Sequence, residues 1–379
     1  MKALIVGSGK IGSVAAADLS EKMPSVEVVV SDKDEKRAKA VAERLGTKNI
    51  SAVPIDASSH DQLVRDLEPF DIILGFLPGN LGYRLMQACI DTGKDLVDVS
   101  FMAENPLTLN EKAVKAGVTI IPDCGLAPGM SNLLVGHATS ELDSTKTVEM
   151  MVGGLPEKPV PPLEYVITWS PESLVDEYTR KARIIRHGEI IEVESLTGVE
   201  TIDFPGVGQL EAFFTDGLRT LMYTVEADEM WEKTLRYLGH SVKIKMLDAL
   251  GFFDETPISI DGIIVSPRKV TAMLLGKALS KPEVRDFVAL KVKVTGIKDG
   301  SAKTYNYVMS DRFDEKGKVT SMARTTAYPA SIAAQMLLQD KIDEKGMVPP
   351  ERIGMNRDAF GMFRKELEAR RIKISEQVT

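Results

Sequence analysis

Three glycines near the start of the chain have the spacing of a phosphate-binding loop. The segment Gly7-Ser-Gly9-Lys10-Ile11-Gly12 follows a short apolar run and opens an amphipathic stretch. In such a strand-to-helix turn, the first glycine permits the tight turn and the second lets the backbone approach a pyrophosphate. The third permits close packing of the helix on the strand, and the helix N-terminus faces the phosphates. We therefore predict that Gly7, Gly9, Lys10, Ile11 and Gly12 bind an adenine dinucleotide.

A carboxylate at the end of the next apolar run indicates which dinucleotide binds. Asp32 follows Gly12 by 20 residues, where an acidic side chain would accept hydrogen bonds from the adenosine ribose hydroxyls. The same carboxylate would repel a 2′-phosphate, so the sequence favours NAD over NADP. Lys33 and Arg37 weaken this inference, because either side chain could turn toward a phosphate.

Further candidates stand where the later predicted strands end. Ligands of an open parallel sheet bind beyond the carboxyl ends of its strands, so these residues would lie near the dinucleotide. Contacts with the adenine and the nicotinamide ribose could come from Asp56, Leu77 and Pro78, which could equally be ordinary turn residues. Nearer the nicotinamide we expect Asp98, Ser100 and Asp123.

The second half of the chain offers a smaller set of candidates. Arg236 could hold a substrate carboxylate in a bidentate fork or form a surface ion pair, and Arg219 has the same alternatives. His240 lies close to Arg236 in the sequence, whereas Trp169 and Ser170 could line a pocket or fill the core. The sequence has no Ser-His-acid order, phosphate loop of the Gly-Lys-Ser type or His-Glu-x-x-His pattern, so neither a hydrolase nor a metal site is predicted.

Alternating apolar runs and amphipathic stretches predict the elements that position these residues. They indicate an α/β fold, with a Rossmann-type, doubly wound parallel sheet and helices on both faces. The predicted strands are Ala3–Val6, Val26–Val30, Ile50–Ile55, Asp71–Phe76, Leu96–Val99 and Val118–Ile121. The predicted helices between them are Ile11–Lys22, Glu35–Leu45, Gln62–Leu67, Leu81–Thr92 and Leu109–Ala116.

The pattern of apolar and polar residues changes after this first region. From about residue 145 it is rich in β-type stretches separated by Gly and Asp turns, which predicts a second, mixed α+β domain. Helical patterns follow at Ser331–Gln339, after Ala327-Tyr-Pro, and at Phe360–Arg371. We expect a dinucleotide-binding domain at 1–124, the mixed α+β domain at 125–325, and a helical segment at 326–379 that returns to the first domain.

Composition limits the classes of function. The 379 residues include 47 Lys and Arg against 55 Asp and Glu, a net charge of −8, with 44% hydrophobic residues. This is typical of a globular protein and disfavours a nucleic-acid partner, which would need clustered cations. The two cysteines do not have metal-ligand spacing, and the first residues include too few apolar side chains for a signal peptide. The sequence also has no apolar run of membrane-spanning length. We therefore expect a cytoplasmic protein with no membrane partner.

The chain resembles the saccharopine dehydrogenase family over nearly its whole length. Besides the glycine loop, the matching stretches are Asp98-Val-Ser-Phe-Met, Asp123-Cys-Gly-Leu-Ala-Pro-Gly-Met-Ser-Asn, Ile167-Thr-Trp-Ser-Pro-Glu, Thr215-Asp-Gly-Leu-Arg-Thr-Leu, Leu235-Arg-Tyr-Leu-Gly-His, Thr325-Thr-Ala-Tyr-Pro-Ala-Ser and Val348-Pro-Pro-Glu-Arg-Ile-Gly. The resemblance implies the same three parts, with 125–325 as a substrate-binding and dimerisation domain, and a homodimer or higher homo-oligomer. It also implies that Ser100 and Arg236 line an amino-acid site.

Within the family, the chain looks most like the branch that oxidises lysine. Saccharopine reductases carry an acid in the Gly-Leu-x-Pro-Gly loop where Ala127 stands here. The resemblance therefore implies NAD-dependent oxidative deamination of L-lysine at its ε-carbon, with release of ammonia and a 2-aminoadipate 6-semialdehyde that cyclises. Asp98, Asp123 and His240 are candidates for the general base. The alternatives are a saccharopine- or carboxynorspermidine-type reductase of the family and a non-catalytic dinucleotide-binding protein.

Overall fold

The chain folds into two compact units, here described from a computed structural model over residues 1–281 and 284–379. Unit 1 comprises Met1–Glu141, Arg219–Val225 and Ala323–Lys373. Unit 2 comprises Leu142–Leu218, Glu226–Met322 and Ile374–Thr379. The predicted division into domains at 1–124, 125–325 and 326–379 stays a prediction.

Strands and helices are numbered along the chain. The strands are β1 Lys2–Val6, β2 Glu27–Asp32, β3 Ile50–Pro54, β4 Ile72–Gly75, β5 Asp95–Asp98, β6 Thr119–Ile121, β7 Ser144–Pro156, β8 Ala182–Arg186, β9 Glu189–Val193, β10 Glu200–Phe204, β11 Gly208–Phe214, β12 Glu229–Arg236, β13 Ile258–Ile260, β14 Ile263–Val265, β15 Asp286–Lys298, β16 Ser301–Arg312, β17 Gly346–Met347 and β18 Ser375–Val378. The helices are α1 Lys10–Lys22, α2 Glu35–Leu45, α3 His60–Leu67, α4 Gly79–Asp91, α5 Asn110–Ala116, α6 Met130–Ser140, α7 Pro171–Thr179, α8 Leu221–Thr224, α9 His240–Ala249, α10 Pro267–Leu279, α11 Ser321–Leu338, α12 Pro350–Met355 and α13 Arg357–Ala369. A 3₁₀ turn at Pro106–Leu109 precedes α5.

Unit 1 contains a parallel sheet of seven strands in the order β17-β6-β5-β4-β1-β2-β3. The chain reverses its direction of winding beside β1, whose neighbours are β2 and β4. The register of the strands aligns the carboxyl ends of β1, β2, β4 and β5. Val6 pairs with Ser31 and with Gly75, and Gly75 pairs with Asp98. The prediction of a doubly wound Rossmann-type sheet is confirmed. Its buried strands are nearly continuous apolar runs because helices cover both faces.

The C-terminal part of unit 1 adds features that the sequence pattern did not predict. β17 pairs with β6 as a seventh parallel strand. The prediction that a helix begins after Pro329 was wrong, because α11 starts at Ser321 and includes this proline. Proline removes one helical hydrogen bond. Here alanines with high helix propensity and complete burial, such as Ala327, Ala330 and Ala333, favour continuation of the helix.

Unit 2 is built on a nine-stranded mixed sheet, which confirms the prediction of a second, mixed α+β region. β12 and β7 pair in parallel, whereas β15 lies antiparallel to both β7 and β16. The last strand, β18, pairs with β16 along one edge. In the part of the chain that the structure describes, no helix combines the length and apolarity needed to cross a membrane.

Candidate dinucleotide and proton-transfer site

The glycine loop joins β1 to α1 and has the shape that a pyrophosphate requires. Gly7 has a φ of +104° and donates its backbone N–H to the Ser31 carbonyl at 2.9 Å. A Cβ at Gly7 would collide with the Phe76 carbonyl, and one at Gly12 would collide with the Gly7 carbonyl. A Cβ at Gly9 would meet no atom within 4 Å, so this side of the loop is open. Because α1 begins at Lys10, its first N–H groups can bind a phosphate at the opening, and the residues fit a dinucleotide.

Asp32 ends β2 and is tied to the same loop. Its Oδ2 accepts hydrogen bonds from the Ser8 backbone N–H at 3.2 Å and the Ser8 hydroxyl at 2.9 Å, and its Oδ1 accepts from the Asp34 N–H at 3.1 Å. The Arg37 guanidinium is 3.9 Å from Asp32 Oδ2, but this arginine side chain is 61% exposed. The carboxylate is therefore held beside the loop, with acceptor capacity left for ribose hydroxyls.

Three other predicted cofactor contacts lie at turns or element ends. Asp56 follows β3 and accepts a hydrogen bond from the Ser58 backbone N–H at 2.9 Å, which lowers the pKa of this exposed carboxyl. Leu77 packs against the apolar core of unit 1, and Pro78 is the residue before α4. Each residue has a structural role in this conformation, and their contacts with a cofactor stay predictions.

Asp98 and Ser100 form a buried acid–serine pair at the carboxyl end of β5. Asp98 Oδ1 accepts the Ser100 backbone N–H at 2.8 Å, and Oδ2 accepts the Ser100 hydroxyl at 3.0 Å. Burial, together with the nearby Asp123 carboxylate, raises the pKa of Asp98 to about 7, although the hydrogen bonds from Ser100 oppose the shift. Asp98 can therefore take up or release a proton near neutral pH.

Two glycines make room for this pair. A Cβ at Gly75 would collide with Asp98 Oδ2, and a Cβ at Gly82 would collide with the Ser100 side chain. Neither glycine was predicted to have a role at the site. Gly75 ends β4 and Gly82 lies in α4, a helix interior in which glycine is normally unfavourable. A glycine inside the predicted helix Leu81–Thr92 was the available signal.

Asp123 and Arg219 form a second buried pair in unit 1. Arg219 Nε lies 3.2 Å and 3.3 Å from the two carboxylate oxygens of Asp123, and Arg219 Nη2 donates to the Glu104 carbonyl at 3.2 Å. Both residues have a left-handed backbone, with φ of +53° at Asp123 and +54° at Arg219. Such strain costs about 1–3 kcal/mol per residue and persists only where surrounding contacts fix it. Arg219, predicted to bind substrate, here neutralises the charge of Asp123.

Unit 2 contains a separate buried cluster around Arg236. Its Nη2 lies 3.0 Å and 3.2 Å from the carboxylate oxygens of Glu177, and its guanidinium lies over the Tyr165 ring at 4.5 Å. Burial disfavours the charged form, but Glu177 and the neighbouring tyrosines outweigh it and hold the pKa of Arg236 above its usual value. The cation predicted to clamp a substrate carboxylate is thus paired with a carboxylate of the protein.

His240 is also engaged inside unit 2. Its Nδ1 lies 2.7 Å from the Leu163 carbonyl and therefore carries the hydrogen, and its Nε2 lies 2.8 Å from the Tyr178 hydroxyl. Burial raises the pKa of Tyr178, so this hydroxyl remains a donor to Nε2. Burial and the Arg236 charge lower the pKa of His240 to about 3. Both nitrogens of this candidate base are already hydrogen-bonded in this conformation.

The remaining candidates in unit 2 make local contacts. Trp169 donates its indole N–H to the Tyr165 hydroxyl at 3.1 Å. Ser170 precedes α7, where its Oγ accepts the Ser173 N–H at 3.2 Å as a helix cap. Trp169 also packs against the apolar core of unit 2, whereas Ser170 is a half-buried cap, and the contact of either residue with a substrate stays a prediction.

Four polar residues of unit 2 were missed by the sequence argument. Thr234 donates to Glu177 at 2.6 Å, and Thr215 is hydrogen-bonded to both Thr234 and Glu232. Burial raises the pKa of Glu232 well above its usual value. The four residues come from α7, β12 and the segment after β11, so no local spacing connects them.

Among the described residues, no group of three or more His, Cys, Asp or Glu side chains could hold a metal.

The sheet and its loop define unit 1 as a dinucleotide-binding fold of the Rossmann type. Two family sequence models match the chain, the saccharopine dehydrogenase NADP binding domain at residues 3–121 and the saccharopine dehydrogenase C-terminal domain at residues 125–372. The chain belongs to the saccharopine dehydrogenase family and is an oxidoreductase of that family. The resemblance seen in the sequence is thereby confirmed.

Known proteins support this assignment at low sequence identity. The chain is 26% identical to alpha-aminoadipic semialdehyde synthase of Arabidopsis thaliana over 81% of its own length, which covers only 31% of that protein. It is 22% identical to carboxyaminopropylagmatine dehydrogenase of Synechocystis, with 95% of this chain and 94% of that protein covered. The apo structure of saccharopine dehydrogenase (L-Glu forming) from Saccharomyces cerevisiae matches with a TM-score of 0.80 at 21% identity, covering 100% of this chain and 99% of the other. This structural match confirms the fold.

Proposed function

We propose that this protein is an L-lysine 6-dehydrogenase, which oxidises the ε-carbon of L-lysine with NAD. The observation that carries the proposal is the hydrogen-bonded pair of Asp98 and Ser100 at the carboxyl end of β5. In an open parallel sheet this edge is where ligands bind. Oxidation of a primary amine needs a group that takes up a proton near neutral pH, and this pair supplies one.

The proton-transfer step explains why such a pair is needed. Only the neutral ε-amine can expel hydride, and its reference pKa of about 10.4 makes deprotonation at pH 7 cost about 4.6 kcal/mol. The Ser100 hydroxyl accepts a proton from the ε-ammonium group as it passes its own proton to Asp98 Oδ2. A base held in place in this way contributes about 10²- to 10⁴-fold to the rate.

The dinucleotide would be held by the glycine loop, with Asp32 at the adenosine ribose. When bound, NAD supplies the hydride acceptor, and the imine of lysine that remains adds water and releases ammonia. The 2-aminoadipate 6-semialdehyde product cyclises onto its own α-amine. The preference for NAD rests on the Asp32 carboxylate, which would repel a 2′-phosphate, whereas the matching family model is described as NADP binding.

The choice of lysine rests on the loop between β6 and α6. Ala127 stands there without a charge, whereas the saccharopine reductases that the chain resembles carry an acid in this loop. A second candidate is a reductase that forms a secondary amine, of the saccharopine or carboxynorspermidine type. The near-complete coverage of the Synechocystis carboxyaminopropylagmatine dehydrogenase favours this alternative.

The two candidates are separated by a direct assay of the purified chain. We expect NADH absorbance to rise with L-lysine and NAD between pH 7 and 10, and to rise faster with increasing pH. Saccharopine with NAD or NADP is the comparison substrate. Turnover of saccharopine without turnover of lysine would select the reductase, and absence of NADH formation from lysine throughout this pH range would refute the proposal.

A pair of variants tests the role of Ser100. Ser100→Ala should lower kcat with lysine by about 10²-fold or more, because it removes the connection between amine and acid. Ser20→Ala is the matched control, since Ser20 is another buried serine of unit 1, and its hydroxyl is hydrogen-bonded to the Thr47 side chain at 3.0 Å. Equal activity of the two variants would exclude Ser100 from proton transfer.

A further inference from the structure

A small cavity in unit 1 lies among α3, α4, α5 and the 3₁₀ turn that precedes α5. Its volume is about 220 Å³, and it is half open to solvent. We call it the α4 cavity, and it is lined by His60, Gln87, Ile90, Asp91, Leu109 and Lys112. Because a water molecule takes about 30 Å³ of the liquid, the cavity offers the space of about seven waters. It therefore suits a small ligand and not a dinucleotide.

The α4 cavity is distinct from the Asp98–Ser100 pair, although helix α4 borders both. Gly82, near the start of α4, makes room for Ser100. Ile90 follows Gly82 by eight residues and lies at the other end of the helix. Eight residues correspond to about 12 Å along a helix axis. A ligand in the cavity would thus occupy a second site, at the opposite end of α4 from the buried acid and serine.

Two hydrogen bonds between elements hold the walls of the α4 cavity in place. His60 Nε2 donates to Asp91 Oδ2 at 2.9 Å and links α3 to α4. The hydroxyls of Tyr83 and Thr108 are hydrogen-bonded at 2.9 Å and link α4 to the 3₁₀ turn. The cavity is thus formed without a ligand, as is usual for sites that bind small molecules.

Opposite charges face the α4 cavity without neutralising each other. Within the described part of the chain, no carboxylate lies within 4.0 Å of the Lys112 ammonium. Asp91 uses one carboxylate oxygen for His60, and the other can accept a further hydrogen bond. Asp91 is also the last residue of α4, where the helix dipole is negative and attracts a cation. The cavity therefore offers one site for an anionic group and one for a cationic group.

The inner wall of the α4 cavity is apolar. Ile90 and Leu109 belong to the hydrophobic core of unit 1 and are 6% and 2% exposed. An aliphatic group placed on them would be removed from water, which is favourable. Gln87, on α4, is half-buried, and its amide has no hydrogen-bond partner among the described residues. This amide can donate to or accept from a polar group of a ligand.

We propose that the α4 cavity binds a small α-amino acid with an aliphatic side chain. The carboxylate of the ligand pairs with Lys112, and its ammonium group pairs with Asp91. Its side chain packs on Ile90 and Leu109. An inorganic anion would use only the lysine and a simple amine only the aspartate, whereas a zwitterion uses both. A zwitterion also adds no net charge to a chain that already carries −8.

The test is calorimetric titration of L-leucine into the full chain. With nine non-hydrogen atoms in a half-open site, leucine should bind with a Kd of about 1 mM. Lys112→Met and Asp91→Asn should each weaken binding by about tenfold, because each removes one charged contact. Gln87→Trp should abolish binding by filling the cavity. Lys115→Met is the matched control, since Lys115 is another exposed lysine of α5 and does not line the cavity.

Two analogues of leucine test each charge separately. 4-Methylpentanoate lacks the amine, so Asp91→Asn should not weaken its binding. 3-Methylbutylamine lacks the carboxylate, so Lys112→Met should not weaken its binding. Each analogue should bind wild-type protein about tenfold more weakly than leucine does. Circular dichroism checks that every variant is folded.

Three results would overturn the proposal. The first is the absence of leucine binding at concentrations well above 1 mM. The second is binding that the Lys112, Asp91 and Gln87 variants leave unchanged, or that the Lys115 variant weakens equally, since leucine would then lie elsewhere. The third is an analogue that binds as tightly as leucine, which would show that one charge suffices. Calorimetry measures no turnover, so these outcomes are independent of whether the enzyme oxidises lysine.

Discussion

Replacing Asp98 by Asn should remove a large pH dependence from the stability of the protein. The pKa of Asp98 is about 7 in the folded chain, against a reference of 3.8. Between these values the folded state holds a proton that the unfolded state has lost, so the free energy of unfolding falls as the pH rises. A difference of about 3 pKa units corresponds to about 4 kcal/mol, lost progressively from pH 4 to pH 7.

The variant Asp98→Asn has the same shape but no ionisable group at this position. Relative to wild type, its free energy of unfolding should increase by about 3 kcal/mol between pH 5 and pH 8.5, because part of the titration lies below pH 5. A constant offset from the changed hydrogen bonds to Ser100 will be added at every pH. The raised pKa is therefore measured by how the difference in free energy of unfolding between variant and wild type changes with pH.

Urea unfolding followed by circular dichroism at several pH values measures this change. Asp56→Asn is the control, since Asp56 lies at the same edge of the sheet and its exposed carboxyl has a lowered pKa. Its difference from wild type should be small and constant from pH 5 to 8.5, because this group titrates below that range. A constant difference for Asp98→Asn as well would show that Asp98 is charged throughout, and the proposed proton acceptor would be lost.

Three further substitutions test the remaining contacts. Asp32→Ala should weaken NAD binding about tenfold and reduce the preference over NADP, measured by fluorescence titration with both cofactors; an unchanged ratio would contradict the role of Asp32. Arg219→Met should cost about 3–5 kcal/mol in urea unfolding because it leaves Asp123 charged and buried, and Asp123→Asn in the same chain should restore part of this loss. Glu232→Gln should raise the melting temperature more at pH 9 than at pH 6, since burial raises the pKa of Glu232 and makes its ionisation costly; a larger gain at pH 6 would reverse this reasoning.

The strands of the Rossmann-type sheet could be predicted because their signal is local. Each is a short apolar run between turns, and complete burial of residues such as Leu4, Ile73 and Leu96 explains why the runs are continuous. The predicted boundaries differ from the observed ones by one or two residues at most strand ends. The second sheet was predicted only as a class, because its long strands combine exposed and buried residues.

Contacts between distant segments could not be predicted in this way. β17 has two residues and pairs with β6 more than two hundred positions earlier, so no periodicity marks it. β18 has four exposed residues and no apolar pattern. The partner of Arg236 is Glu177, 59 residues away in the chain. The sequence identified cations suited to bind a substrate carboxylate, but it could not show that carboxylates of the protein already neutralise them.

The two acids at the carboxyl edge of the sheet, Asp98 and Asp123, are suited to different roles because their hydrogen-bond partners differ in charge. Asp98 is bonded by a backbone amide and a hydroxyl, which are neutral, so it can gain or lose a proton without leaving an opposite charge unpaired. Asp123 faces the Arg219 guanidinium, and a proton on this carboxyl would leave a buried cation uncompensated. A base must exchange protons in every cycle, whereas a fixed anion can hold a strained segment in place. Among the three candidate bases, His240 has both nitrogens engaged and Asp123 faces a cation, so these contacts support the proposal that Asp98 takes up the proton through Ser100.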